Sequence, residues 1–74
     1  MEGTYDKTAD AVYLQLVESI GLGGSKRQAV VEAEGLKAMM VLDFDDQDRI
    51  LGIEIIGARG SLTAETLNSL QQIG

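Results

Sequence analysis

Residues 11–17 read Ala-Val-Tyr-Leu-Gln-Leu-Val, and this stretch decides the fold. Large aliphatic residues occupy every second position, and the positions between them carry Ala, Tyr and Gln. Such a period of two, with aromatic and β-branched content, is typical of a half-buried strand. Immediately upstream, Thr4 and Tyr5 predict a short first strand. Residues 6–10, Asp-Lys-Thr-Ala-Asp, predict the turn between the two, because Asp and Thr side chains bond nearby backbone groups.

The same alternation recurs further along the chain. Three more strands are predicted, at residues 26–34, 37–44 and 51–56. The glycine-dense segment 21–25 is predicted to be a hairpin loop. It lacks the spacing of a phosphate-binding Walker loop, since Lys26 is followed by Arg27. The acidic residues 45–48 predict a hairpin loop between the last two strands.

The C-terminal segment changes to a helical period. Four apolar residues fall at helical spacing, namely Leu62, Leu67, Leu70 and Ile73. Thr63 is the predicted N-cap, and Glu65 in the first turn complements the positive end of the helix dipole. The sequence therefore predicts one amphipathic helix, which stops at Gly74.

Together these elements predict a single α+β domain over residues 1–74. We expect an antiparallel β-meander of four to five short strands, with the C-terminal helix packed on one sheet face. The inward face is predicted to hold Ala38, Met40, Leu42, Phe44, Leu51, Ile53 and Ile55. Three further apolar residues fall on the opposite face, where water is expected: Met39, Val41 and Ile56. So small a domain with apolar residues on both faces is predicted to self-associate.

Composition excludes several classes of function. The chain has 74 residues, twelve acidic and six basic, with a formal net charge of −6. That charge repels phosphate backbones, so no nucleic-acid partner is expected. It contains no cysteine and no histidine, which removes thiolate chemistry and the usual neutral-pH proton shuttle. Its longest apolar run, residues 38–42, is far shorter than the roughly 20 residues of a membrane span. We expect no membrane association and a cytoplasmic location.

Three motifs carry a resemblance to a known family. They are Tyr5-Asp6-x-x-Ala9-Asp10-Ala11-Val12-Tyr13-Leu14-x-Leu16, then Leu42-Asp43-Phe44-Asp45, then Ile50-Leu51-Gly52-Ile53-Glu54-Ile55-Ile56. Over roughly residues 3–58, the chain resembles a family of small bacterial proteins catalogued as domain of unknown function 2283. The resemblance implies a small β-rich domain with a trailing helix, and it implies no activity. The chain departs from the family at Asp48, where glycine is usual, and in a longer loop at residues 21–24.

A cluster of carboxylates is the first candidate for chemistry. It consists of Asp43, Asp45, Asp46 and Asp48, with Glu54 beyond. Aligned with a calcium-binding EF loop, Asp45 takes the third position and Glu54 the twelfth. However, Asp48 stands where the sharp turn requires glycine, and the flanks are strands rather than helices. A solvated hairpin tip is the favoured interpretation, and metal binding is the alternative.

A second candidate group combines two carboxylates with two tyrosines. Asp6 and Asp10, with Tyr5 and Tyr13 nearby in sequence, are the residues that could support acid–base catalysis. The favoured interpretation is structural: the aspartates bond backbone amides of the turn, and the tyrosines pack along the sheet. The sequence therefore assigns no catalytic, cofactor-binding or metal-ligating residue.

The leading functional hypothesis is a non-enzymatic interaction domain that acts as a homo-oligomer, with a dimer favoured. It would work through a sheet face or an open strand edge. An alternative is an acidic, antitoxin-like protein that binds and masks a basic partner. A lesser alternative is metal binding or enzymatic activity at the acidic loop.

Overall fold

The structure, a computed structural model, describes residues 2–74 as a six-stranded sheet with one short helix. The alternating segments form strands and the C-terminal segment begins as a helix, so the mixed α+β class is confirmed. In chain order, the elements are β1 (Glu2–Asp6), β2 (Ala11–Gln15), β3 (Arg27–Val31), β4 (Met39–Phe44), β5 (Ile50–Ile56), a 3-10 helix (Ala58–Gly60), α1 (Ala64–Ser69) and β6 (Gln71–Ile73).

The strand order differs from the predicted meander of four to five strands. The sheet has six strands in the order β3-β4-β5-β2-β1-β6. Neighbouring strands are antiparallel, except that β6 runs parallel to β1. The segment between β2 and β3 carries the chain to the far edge of the sheet. The strands β3, β4 and β5 then return as a meander, and β5 pairs with β2.

The prediction that the helix continues to Ile73 is wrong. The helix has six residues, and its predicted cap is confirmed, because Thr63 Oγ1 accepts a hydrogen bond from the Thr66 amide at 3.1 Å. After Ser69 the chain turns and pairs with the outer edge of β1. The Gln72 amide group donates to the Leu67 and Leu70 carbonyls at 2.9 and 2.8 Å, which satisfies the end of the helix.

Side chains alternate between two faces of this sheet, and paired residues share a face. The helix packs on the face that we call the helix face, where Tyr5, Val12 and Ile55 stand in one row of paired residues. Tyr5 and Val12 are buried there with Ala58 and Leu67. Four partly buried side chains complete this cluster, namely Leu14, Ile55, Leu62 and Leu70. The core therefore lies over β1, β2 and the near edge of β5.

Candidate interaction surface

Only one half of the helix face is covered. The other half carries six apolar residues that share the face by register, which we call the outer patch: Ala29, Val31, Met40, Leu42, Phe44 and Ile53. Each of the six is partly exposed. The helix is short, and β6 fixes its end to β1 at the opposite side of the sheet. The outer patch on β3, β4 and β5 therefore lies outside the buried cluster.

Charge is distributed unequally between the two faces. The strands contain four carboxylates, and all lie on the face opposite the helix, which we call the acidic face: Glu2, Asp6, Asp43 and Glu54. Arg27 is the one charged strand residue, among residues 2–74, on the helix face. Its guanidinium lies 4.1 Å from the centre of the Phe44 ring and pairs with the exposed Asp48 at 3.1 Å. The outer patch therefore contains no strand carboxylate, and the Arg27–Asp48 ion pair lies at its Phe44 end.

The apolar residues predicted on the second face behave differently from one another. Met39 is 38% exposed and Ile56 is partly exposed, whereas Val41 is 8% exposed. Val41 stands between its cross-strand neighbours Val30 and Glu54, and these side chains flank it within the protomer. Val41 therefore needs no cover from another molecule. Both faces carry open apolar side chains: Val30 and Met39 are exposed on the acidic face, and the residues of the outer patch are partly exposed on the helix face.

A hydrogen-bonded group of polar side chains occupies the acidic face. The Tyr13 hydroxyl donates to Asp43 at 2.9 Å, and the Gln28 amide group donates to the same carboxylate at 2.8 Å. Asp43 is 9% exposed, so these two bonds satisfy a nearly buried charge. Burial and the bond to Asp43 raise the pKa of Tyr13 to about 12. The Tyr13 ring lies against Gly52, where a side chain would collide with it.

A second hydrogen-bonded group joins the β1–β2 turn to the 3-10 helix. The Tyr5 hydroxyl donates to Asp10 at 3.0 Å, and the backbone amide of Arg59 donates to the same carboxylate oxygen at 2.9 Å. The Arg59 side chain donates to the Tyr5 hydroxyl at 3.2 Å. Sequence reasoning misses Arg59, because 49 residues separate it from Asp10.

The candidate group of two carboxylates and two tyrosines is therefore divided between the two sheet faces. Tyr5 and Asp10 meet, whereas Tyr13 lies across the sheet against Asp43. Asp6 accepts hydrogen bonds from the backbone amides of residues 8 and 9, at 3.0 and 3.1 Å, as the structural interpretation predicts. Asp10 differs from that interpretation, since it bonds the 3-10 helix instead of the turn.

The carboxylates of the acidic hairpin point to different partners. Asp45 accepts from the backbone amides of Gln47 and Arg49, and the Arg49 amide bond is the main cause that lowers the pKa of Asp45. Asp48 pairs with Arg27, and Asp43 turns to the acidic face. Within residues 2–74, no three acidic side chains are placed to hold a metal ion. The bonds of Asp45 and Asp48 hold the hairpin together, as the favoured interpretation predicts.

Fold and surface together define a small α+β domain with a half-covered sheet. The chain belongs to the family described as Protein of unknown function (DUF2283), whose model matches residues 4–59. Comparison with curated proteins and with solved structures gives no match. Within residues 2–74, no helix has the length and hydropathy needed to cross a bilayer.

Proposed function

We propose that this protein is a non-enzymatic interaction domain that acts as a homo-oligomer, most simply a dimer. The outer patch is the observation that carries the proposal. It places six partly exposed apolar side chains on one continuous sheet surface, outside the buried cluster beneath the helix. The largest apolar patch on a typical soluble monomer covers about 300–600 Å², and such a patch is often a functional site.

The small size of the buried core supports the same proposal. Among residues 2–74, six hydrophobic residues are buried, and two of these are alanines. A large aliphatic side chain contributes about 1.5–3 kcal/mol when it is fully buried, so the partly exposed residues of the outer patch realise only part of their potential contribution. Small domains commonly gain the missing burial by oligomerisation.

The proposal is tested by the mass of the protein in solution. Sedimentation velocity and light scattering over a concentration series should show a species heavier than the 7.9 kDa chain. The fraction of protein in this heavier species should rise with protein concentration. Far-UV circular dichroism of the same samples controls for folding. A folded protein that stays strictly monomeric at high micromolar concentration would contradict the proposal.

A further inference from the structure

We propose that the outer patch is a two-fold symmetric interface, on which a second copy of this chain packs face to face. This inference rests on the proposed function and adds the surface, the partner and the symmetry. In such a dimer, the β3–β4–β5 half of one sheet would cover the same half of its partner. Each copy would then supply the layer that the short helix leaves out.

The distribution of charge favours a second copy as the occupant. Each molecule has a formal net charge of −6, so two copies repel each other through most of their surfaces. The outer patch is the exception, because the four strand carboxylates point to the acidic face. A basic partner would meet no strand carboxylate on this patch, whereas a second copy presents the same apolar residues, with the Arg27–Asp48 ion pair confined to the Phe44 end. A two-fold interface of this kind is self-complementary.

The geometry of the patch identifies Leu42 as its centre. Leu42 lies on β4, between Ala29 of the edge strand β3 and Ile53 of β5. Two sheets that pack face to face lie about 10 Å apart, with their side chains interdigitating. The residue at the centre of such a layer is the one most completely shielded from solvent in the dimer. Leu42 is therefore the most sensitive position at which to detect dimerisation.

The size of the patch sets the expected strength of the interaction. Three strands at a spacing of about 4.8 Å, each about 20 Å long, give a footprint of roughly 300 Å². This is well below the roughly 800 Å² per partner of a standard protein interface. We therefore expect a weak, concentration-dependent dimer in place of an obligate one.

The absence of cysteine from the chain allows a direct test. A Leu42→Cys variant introduces one thiol at the centre of the outer patch, and a Met39→Cys variant introduces one on the acidic face of the same strand. The rate at which a small maleimide labels Leu42→Cys should fall several-fold as protein concentration rises. The labelling rate of Met39→Cys should stay constant. Equal behaviour of the two thiols would overturn the inference.

Charged substitutions provide a second test. Leu42→Glu and Ala29→Glu should each raise the dimer dissociation constant about tenfold or more, because dimerisation would bury an unpaired charge. Val30→Glu is the matched control, since Val30 is 58% exposed and lies on the acidic face. Circular dichroism establishes that each variant is folded. Ala29→Glu, at the edge strand, keeps the test valid if Leu42→Glu fails to fold.

The outcomes separate this inference from the proposed function. If the native protein dimerises and both outer-patch variants dimerise equally well, the interface lies elsewhere and only the further inference fails. Loss of the dimer in Val30→Glu alone would place the interface on the acidic face or the β3 edge. If the native protein is monomeric, the proposed function itself fails. Increasing the salt concentration should strengthen the dimer, because salt screens the repulsion between two negatively charged copies.

Discussion

Replacing Gly52 by alanine tests the packing of the acidic face directly. A Cβ atom at this position would lie 2.5 Å from Cζ of Tyr13, closer still to its hydroxyl oxygen, and 3.1 Å from the Leu14 carbonyl oxygen. That carbonyl belongs to the neighbouring strand and is held by the sheet, so the Tyr13 ring must move. Its hydrogen bond to Asp43 would then be lost.

The expected cost follows from three contributions. Overpacking costs about 1–3 kcal/mol. Loss of the partly buried hydrogen bond between Tyr13 and Asp43 adds about 1–1.5 kcal/mol. The change from glycine to alanine inside a strand recovers about 0.5–1 kcal/mol. Gly52→Ala should therefore lower the free energy of unfolding by roughly 1–4 kcal/mol, which for a domain of this size corresponds to a decrease of about 4–32 °C in Tm.

Urea unfolding followed by far-UV circular dichroism measures this cost at a fixed protein concentration. Gly60→Ala is the matched control, because a Cβ there meets no atom within 4 Å and no left-handed backbone is involved. In a Tyr13→Ala background, the cost of Gly52→Ala should fall below about 1 kcal/mol, since the colliding ring is absent. An undiminished cost in that background would refute the reasoning.

Three further predictions concern the hairpin, the tyrosine and the helix cap. Asp48→Gly should be about 1 kcal/mol more stable than Asp48→Ala in urea unfolding, because both remove the ion pair with Arg27 and only glycine relieves the left-handed backbone (φ 59°). The pKa of Tyr13 is raised from 10.0 to about 12, so its contribution to the free energy of unfolding should be lost as pH rises from 10 to 12. The phenolate absorbance of the native protein, compared with that of Tyr13→Phe, measures the ionisation of Tyr13. Ionisation of Tyr13 near pH 10 would contradict the prediction. Thr63→Ala should cost about 0.5–2 kcal/mol in thermal unfolding, and Thr63→Ser, which keeps the hydroxyl that caps Thr66, should cost less.

The strands are the part of the fold that the sequence predicts best. Alternation is a local property, and burying one face of a strand requires a period of two wherever the strand pairs. The pairing partners are not local: nothing in residues 11–17 indicates that β2 lies beside β5 rather than β3. The end of the helix escapes prediction for the same reason. Leu70 and Ile73 keep a helical period, but residues 71–73 pair with the open edge of β1 and form a strand instead.

The alternation of residues assigns the apolar side chains to sheet faces, but it does not show which of them the helix covers. The sequence places Met40 and Leu42 on the inward face, and register confirms that they share it with the helix. It does not show that a helix of six residues, fixed beside β1, covers only half of that face. Conversely, Val41 was predicted to need cover, yet neighbouring side chains on the acidic face bury it. The proposed self-association therefore depends on how far the helix extends across the sheet, and a longer helix in place of β6 would remove the reason for a partner.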